Sequence, residues 1–232
     1  MSHQLKWLGH SAWQLTTAQG KVLLFDPWLQ GNPLAPCTIK ELPRADFILL
    51  SHDHSDHAGD VVAVAKHTGA TLVAQPETAT RYQNEGLPNE QVIHGIGMNI
   101  GGSVDLGGIK ATMVDAYHSS ETGDPAGYIV TLEDGKVLYF AGDTGLHCNM
   151  QTWGQLFDID VALLPIGDVF TMDPRQAAHA LRLLGQPKAA LPMHYRTFPI
   201  LTQSAEEFIE HAKEQAPNTR IHVLEPGETF TF

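Results

Sequence analysis

The chain has 232 residues, of which 43% are hydrophobic and 17% charged, a composition typical of a globular protein with a buried core. The formal net charge of −12 opposes docking on the phosphate backbone of a nucleic acid, which normally needs a basic face. Neither an apolar stretch of about 18 residues nor a basic start followed by an apolar block is present, so we expect no membrane span and no signal peptide. These features predict a cytoplasmic protein without nucleic-acid or membrane partners.

The two cysteines, Cys37 and Cys148, are too few for a disulfide framework and are not spaced as a CxxC pair. We interpret both as ordinary thiols.

The first third of the chain alternates strands and a helix. "KVLLFDPWL" (21–29) and "DFILLSH" (46–52) are short apolar runs that end in polar residues, a pattern typical of buried strands. "HAGDVVAVAKHTG" (57–69) then predicts a helix that ends at Gly69.

The middle of the chain predicts antiparallel pairing. Apolar residues alternate through 101–120 and 126–144, around the turn sequences "LGG" and "EDG". We therefore expect hairpins in this part.

A strand and a well-delimited helix follow. "VALLPIG" (161–167) predicts a buried strand. The next helix has Asp173 as its N-cap, Pro174 at its first position and Gly185 beyond its end.

The last elements are a strand, a helix and a closing strand. "KAALPMH" (188–194) predicts the first of these, and "SAEEFIEHAKEQ" (204–215) a helix opened by a capping box of Ser204 and Glu207. "RIHVLEPGETFTF" (220–232) predicts a closing strand. Because strands and helices flank a hairpin-rich centre without any linker, the order favours one domain, 1–232, of two stacked sheets covered by helices.

The densest chemical signal is "SHDHSDHAGD" (51–60), directly after a buried strand. His52, His54, Asp56 and His57 are four potential ligands within six residues, and imidazole and carboxylate both suit a divalent ion such as zinc. A solvated polar turn that caps the following helix is the alternative. A turn needs none of these four residues, so the cluster favours a metal site.

Three further residues each follow an apolar run: His118, Asp143 and His194. Singly, each is an ordinary polar residue at a strand end. Together with the first cluster they make five histidines and two aspartates, enough for two metal ions that share one carboxylate.

The motif "HDHSDH" resembles the HxHxDH signature of the metallo-β-lactamase superfamily, and His118, "GDT" and "MHY" match its later ligand motifs in order. The resemblance implies an α/β fold, the four-layer αββα sandwich of two similar halves. It also implies a dinuclear metal site with three groups of ligands: His52, His54 and His118 on one ion, Asp56, His57 and His194 on the other, and Asp143 between them.

The same resemblance implies that Asp26, in "FDPW", supports the metal loop without binding an ion, although a turn role is equally compatible with the sequence. We expect two divalent ions per chain. Zinc is our first choice, and manganese, iron and nickel accept the same ligands.

Several segments, among them "GHSAW", "DPWLQGNP", "FAGDTGL" and "PMHYRTFP", resemble small metal-dependent hydrolases related to ascorbate-6-phosphate lactonase. The implied activity is hydrolysis of a small ester, lactone or phosphoester by a bridging hydroxide of the dinuclear site. The alternative is a non-hydrolytic dimetal protein with a redox or sensing role. The di-iron relatives typically carry glutamate where this chain has His54, so hydrolysis is favoured.

Two residues are assigned catalytic roles: Asp56 would orient the nucleophile or move its proton, and His10, in "LGHS", would contact the substrate or its oxyanion. A structural histidine is the alternative for His10. Asp168, Thr171 and Tyr195 are candidates for the pocket lining. The alternative roles are helix capping, hydrogen bonding within a loop and core packing. We leave His147 and Cys148 out of the site. The expected partner is a small-molecule substrate, and a homo-oligomer is compatible with the sequence.

Overall fold

The computed structural model describes residues 2–232, which form two mixed β-sheets with helices packed on their outer faces. The first sheet has the order β13-β1-β2-β3-β4-β5. Pairing is antiparallel from β13 to β3 and parallel from β3 to β5. Its strands are β1 (Gln4–Trp7), β2 (Trp13–Thr16), β3 (Val22–Phe25), β4 (Phe47–Leu49), β5 (Thr71–Val73) and β13 (Thr229–Thr231).

The second sheet has the order β12-β11-β10-β9-β8-β7-β6. The predicted hairpins are confirmed, since β6 to β9 pair antiparallel, whereas β9 to β12 pair parallel. Its strands are β6 (Ser103–Asp105), β7 (Lys110–Asp115), β8 (Ala126–Thr131), β9 (Val137–Phe140), β10 (Val161–Pro165), β11 (Ala189–Met193) and β12 (Arg220–Ile221).

Six α-helices connect these strands, and none of the helices within 2–232 is long and apolar enough to cross a membrane. They are α1 (Ser55–Ala58), α2 (Val61–Thr68), α3 (Pro76–Asn84), α4 (Asn149–Leu156), α5 (Pro174–Leu183) and α6 (Glu206–Gln215).

The main core lies between the sheets, and side chains alternate along each strand to reach it. In β3, Leu23 and Phe25 belong to this core, and the Phe25 and Phe140 rings lie 4.9 Å apart. Leu24 points the other way, into a second core cluster that includes Val64 of α2. Helices α5 and α6 cover the second sheet in the same manner. The predicted αββα sandwich is therefore confirmed.

The predicted start of α5 is also confirmed. Asp173 accepts a hydrogen bond from Gln176 N at 2.6 Å, Pro174 is the first helical residue, and Gly185 follows with a φ of 81°.

Two predictions, for the start of the last helix and for the closing strand, were wrong. The capping box of Ser204 and Glu207 does not form, because Ala205 occupies the N-cap position of α6 and Ser204 Oγ lies 3.4 Å from Glu206 N instead. The closing strand is split into β12 and β13, which belong to different sheets. Gly227, with a φ of 90°, lies in the turn through which the chain crosses to the first sheet, where its N–H binds Trp7 O.

The helix predicted over 57–69 is two helices. Asp60, between α1 and α2, accepts hydrogen bonds from Leu29 N and Gln30 N, both at 2.7 Å. Its side chain thus anchors the loop after β3. The predicted end at Gly69 is confirmed by its left-handed φ of 81°.

Candidate metal centre

The carboxyl ends of several strands meet at one edge of the two sheets, and polar side chains follow each of them. His52 and His54 lie in the loop after β4, and Asp56 and His57 lie in α1. The His54 carbonyl accepts hydrogen bonds from His57 N and Ala58 N, so loop and helix form one rigid turn. Ligands commonly bind outside the carboxyl ends of strands in such sheets.

The second sheet contributes His118 after β7, Asp143 after β9 and His194 after β11. Asp143 Oδ2 lies 2.9 Å from His194 Nε2, 3.3 Å from His57 Nε2 and 3.7 Å from His118 Nε2. One carboxylate oxygen is thus shared by imidazoles from three different segments.

The imidazoles form two donor groups around Asp143. In the first, His54 Nδ1 lies 3.0 Å from His52 Nε2 and 3.3 Å from His118 Nε2. In the second, donor atoms of four residues lie within 4.8 Å of one another: His10, Asp56, His57 and His194. All seven residues predicted as metal ligands are therefore brought together, and His10 joins them.

Asp26 controls which nitrogen of two imidazoles carries the proton. Its Oδ2 accepts from His57 Nδ1 at 2.7 Å and from the Ser51 hydroxyl. Because the Ser51 hydroxyl donates to Asp26, its oxygen accepts from His52 Nδ1 at 2.9 Å. Asp26 Oδ1 is occupied by Ser51 N at 2.8 Å. With an ion bound, both imidazoles would thus direct an unprotonated Nε2 at the donor groups, as metal-binding histidines require.

The charges of the site depend on one another. Burial lowers the pKa of His52 well below its usual value, and the charge of His57 lowers it further. Burial alone would raise the pKa of Asp143, but His194 and His57 hold it well below its ordinary range. Burial would lower the pKa of His57, but Asp143 and Asp26 raise it well above the usual value. Asp143 is therefore ionised, and its negative charge favours a positive charge beside it.

Buried atoms of this cluster fit a metal ion. Within 2–232, Asp143 Oδ1, His57 Nε2 and His194 Nδ1 are buried without a hydrogen-bond partner. Unpaired buried polar atoms are costly, so each implies a further partner. Imidazole nitrogens and carboxylate oxygens are together the ligands of zinc and similar divalent ions.

The backbone of the site is held in unusual conformations. His10, Asp26 and His194 have left-handed φ values of 55°, 40° and 55°. Such residues persist where the surrounding structure fixes them, and they cluster at functional sites. The chain also passes very close to His194, because a Cβ on Gly167 would overlap the His194 carbonyl oxygen.

Comparison with known proteins agrees with this geometry. The family model of the beta-lactamase superfamily domain matches residues 21–195. A UPF0173 metal-dependent hydrolase of Nitratidesulfovibrio vulgaris (strain DP4) is 47% identical over 232 residues, covering 100% of this chain and 96% of the relative. The chain belongs to this family of metal-dependent hydrolases.

Two further relatives extend the match. The UPF0173 hydrolase of Caldivirga maquilingensis is 47% identical over 230 residues, covering 98% of this chain and 97% of its own. The solved structure of Igni18, a metallo hydrolase from the archaeon Ignicoccus hospitalis, is 37% identical with a TM-score of 0.89, covering 100% of this chain and 99% of that one. The prediction of a metal-dependent hydrolase of the metallo-β-lactamase superfamily is confirmed.

The site of this hydrolase contains a buried carboxylate that we did not predict. Asp53, between the first two motif histidines, is 3% exposed and ties down the loop after His118. It accepts hydrogen bonds from Ser120 Oγ at 2.7 Å, Glu121 N at 2.7 Å and Thr122 N at 3.0 Å. It also pairs with Arg81 at 2.8 Å. Its position inside the histidine-rich motif is the sequence feature that could have identified it.

Replacing Asp53 by Ala should lower the free energy of unfolding by about 3 kcal/mol, because it leaves buried donors and a charged partner unpaired. Urea unfolding of the metal-free protein measures this. Glu121→Ala is the matched control, since Glu121 pairs with the same Arg81 but its side chain is 70% exposed, and little change is expected. Equal stabilities of the two variants would contradict the clamping role.

The remaining predicted residues have different outcomes. Tyr195 does not line a pocket, because it is 1% exposed and stacks on Trp7 with ring centroids 5.7 Å apart. Asp168 and Thr171 belong to a tight turn, in which Thr171 N binds Asp168 O at 3.1 Å. His147 is buried outside the donor groups, 4.9 Å from the Tyr117 ring.

Proposed function

We propose that this hydrolase uses two divalent metal ions to cleave a small ester, lactone or phosphoester. One ion would be held by His52, His54 and His118, and the other by Asp56, His57 and His194. The shared position of Asp143 Oδ2 carries the proposal, because it lies within 3.7 Å of imidazoles from both sets. A single ion would leave one of the two donor groups without a cation to bind.

Two such ions, when bound, would acidify a water molecule so that it reacts near neutral pH, and would polarise the electrophilic carbon or phosphorus of the substrate. The side chains position these partners. Asp56 is the most accessible carboxylate of the set, with 27% of its side chain exposed. Burial would raise its pKa, but the neighbouring His10 side chain and the charge of His57 hold the pKa well below its usual value. An ionised Asp56 can orient the nucleophile and accept its proton.

The surroundings support a small substrate. A cavity of about 560 Å³ is lined by His118 with Tyr117 and Ile100, and one of about 320 Å³ by His54 and Asp56. Both volumes are in the range of small-molecule sites.

The smaller cavity does not favour a polyanion. Among the described residues that line it, Arg81 is basic, but its guanidinium is paired with Asp53 and Glu121, both at 2.8 Å, and with Glu85 at 3.1 Å. This arrangement places neutral lactones and esters first in a substrate screen.

Reconstituted protein should bind about two ions per chain, and chelation should abolish hydrolysis because the nucleophile depends on the metal. Elemental analysis after reconstitution with zinc, manganese, iron or nickel measures the first. A screen over lactones, carboxylic esters, thioesters and phosphodiesters, run before and after chelation, measures the second. The activities of the reconstituted forms rank these metals as catalysts at this site.

Two outcomes would refute this proposal. One is a limit of a single tightly bound ion with every metal. The other is full turnover in metal-free protein. Two bound ions without hydrolysis of any substrate class would instead favour the redox or sensing alternative.

A further inference from the structure

His10 lies where both sheets fix its position. It occupies the turn between β1 and β2, and its carbonyl accepts hydrogen bonds from Trp7 Nε1 at 2.9 Å and from His194 N at 3.2 Å. The latter joins the first sheet to a strand end of the second. These contacts hold His10 in its left-handed φ of 55° and so determine the direction of its ring.

The ring does not face the substrate side of the site. The His10 side chain is 0% exposed and is enclosed edge-on by Trp28 at 5.5 Å and Phe198 at 5.7 Å between ring centroids. With no exposed surface, this imidazole offers no atom to a substrate in this conformation. The structure therefore argues against the contact with substrate or oxyanion that the sequence suggested.

One ring nitrogen faces the second donor group. His10 Nε2 lies 3.2 Å from Asp56 Oδ2, and the His10 ring centroid lies 4.1 Å from that of His194. An unprotonated Nε2 beside an ionised carboxylate is repulsive unless a cation lies between them.

The other ring nitrogen is held by Thr197. The Thr197 hydroxyl donates to the Tyr195 carbonyl at 3.2 Å, so its oxygen is free to accept from His10 Nδ1 at 2.9 Å. In that arrangement the proton is on Nδ1, and Nε2 offers a lone pair. Ser51 and Asp26 place the protons of His52 and His57 in the same way.

The opposite arrangement has a structural cost. If Thr197 donated to His10 Nδ1, His10 Nε2–H could donate to Asp56, but the buried Tyr195 carbonyl would lose its bond from Thr197.

We propose that His10 is a fifth protein ligand of the second metal ion, beside Asp56, His57, His194 and the shared Asp143, and that Thr197 is a positioning residue that keeps His10 Nε2 unprotonated. This inference rests on the proposed dinuclear site, but it adds a ligand from the first sheet's opening turn. The second ion would then have five protein ligands, whereas the first would have four: His52, His54, His118 and Asp143.

Metal titrations of wild type and variants test the proposal with zinc and with cobalt, whose visible ligand-field bands report coordination. His10→Ala should weaken the second ion by more than about 100-fold, because removal of supporting residues alone costs about 10- to 100-fold. The bands of the second cobalt equivalent should change and those of the first should not. His147→Ala is the matched control, another buried imidazole, and should retain wild-type affinity at both sites.

Thr197 is tested by a pair of variants. Thr197→Val should weaken the second ion about 10-fold, and Thr197→Ser, which keeps the hydroxyl, should restore it. Long-range proton–nitrogen NMR of the zinc-loaded wild type should show the His10 proton on Nδ1, a measurement that does not require any variant to fold.

The outcomes separate this inference from the proposed function. If wild type binds fewer than two ions, the dinuclear function itself fails. If wild type binds two ions and His10→Ala binds both with unchanged affinity and cobalt bands, His10 is not a ligand. A zinc-loaded protein with the proton on His10 Nε2 would also overturn the inference, because His10 would then only orient Asp56.

Discussion

Replacing Asp143 by Ala should weaken both metal ions together and reduce hydrolysis by more than about 100-fold, beyond the loss typical of a supporting residue. The reason is the shared position of Asp143 Oδ2, which contacts His57 and His194 on one side and approaches His118 on the other. Loss of a ligand of only one ion would leave the other site at full affinity. Metal titration monitored by elemental analysis, together with initial rates on the best substrate, measures both effects.

The control for this variant is Asp158→Ala, which removes one negative charge from an exposed position. It should leave metal affinity and rate at wild-type values, since exposed charges contribute little. Retention of two ions by Asp143→Ala at unchanged affinity would contradict the bridging role. Loss of one ion alone would assign Asp143 to a single site.

The candidate metal-binding residues could be predicted because their signal is local and chemical. His52, His54, Asp56 and His57 are within six residues, and the strand ends that carry His118, Asp143 and His194 are recognisable as apolar runs. The sheet order then brings these ends together without any further information.

The supporting residues depend on contacts that the sequence does not display. Asp53 acts on a loop 67 to 69 residues away, and Thr197 reaches His10 across 187 residues. A serine, threonine or aspartate is ordinary in a loop, so only the folded chain distinguishes Ser51 or Thr197 from its neighbours.

The errors at the chain's end have a related cause. The apolar pattern of 220–232 fits a strand, but the pattern does not show that its two halves join different sheets.

Tyr195 was misjudged because its neighbour His194 belongs to the site, whereas its own ring points into the core against Trp7. Residues that follow each other at a strand end point in opposite directions.

Acid should destabilise the metal-free protein between about pH 6.5 and pH 4. Burial and then the charge of His194 lower the pKa of His10 from 6.5 to about 4. Below pH 6.5 the unfolded chain therefore binds a proton at His10 that the folded protein does not, and stability falls as the pH falls. The difference corresponds to about 3 kcal/mol for this group.

The neighbouring groups do not reverse this sign. The pKa of His52 is also lowered, chiefly by burial, and adds to the loss. The raised pKa of His57 stabilises the fold fully below pH 6.5 and less as the pH rises, so it gives no compensation in acid. The lowered pKa of Asp143 contributes stability above about pH 4 that is lost only at still lower pH.

Urea unfolding of chelator-treated protein at pH 7, 5.5 and 4.5 measures this effect, and His10→Gln should show a flatter dependence because its side chain does not titrate. Zinc-loaded protein should resist acid further, since a bound ion competes with protons for the same nitrogens, until protonation releases the metal. The unfolding midpoint and the bound metal should then fall together. A metal-free protein equally stable at pH 7 and 4.5 would contradict a lowered pKa of His10 in the fold.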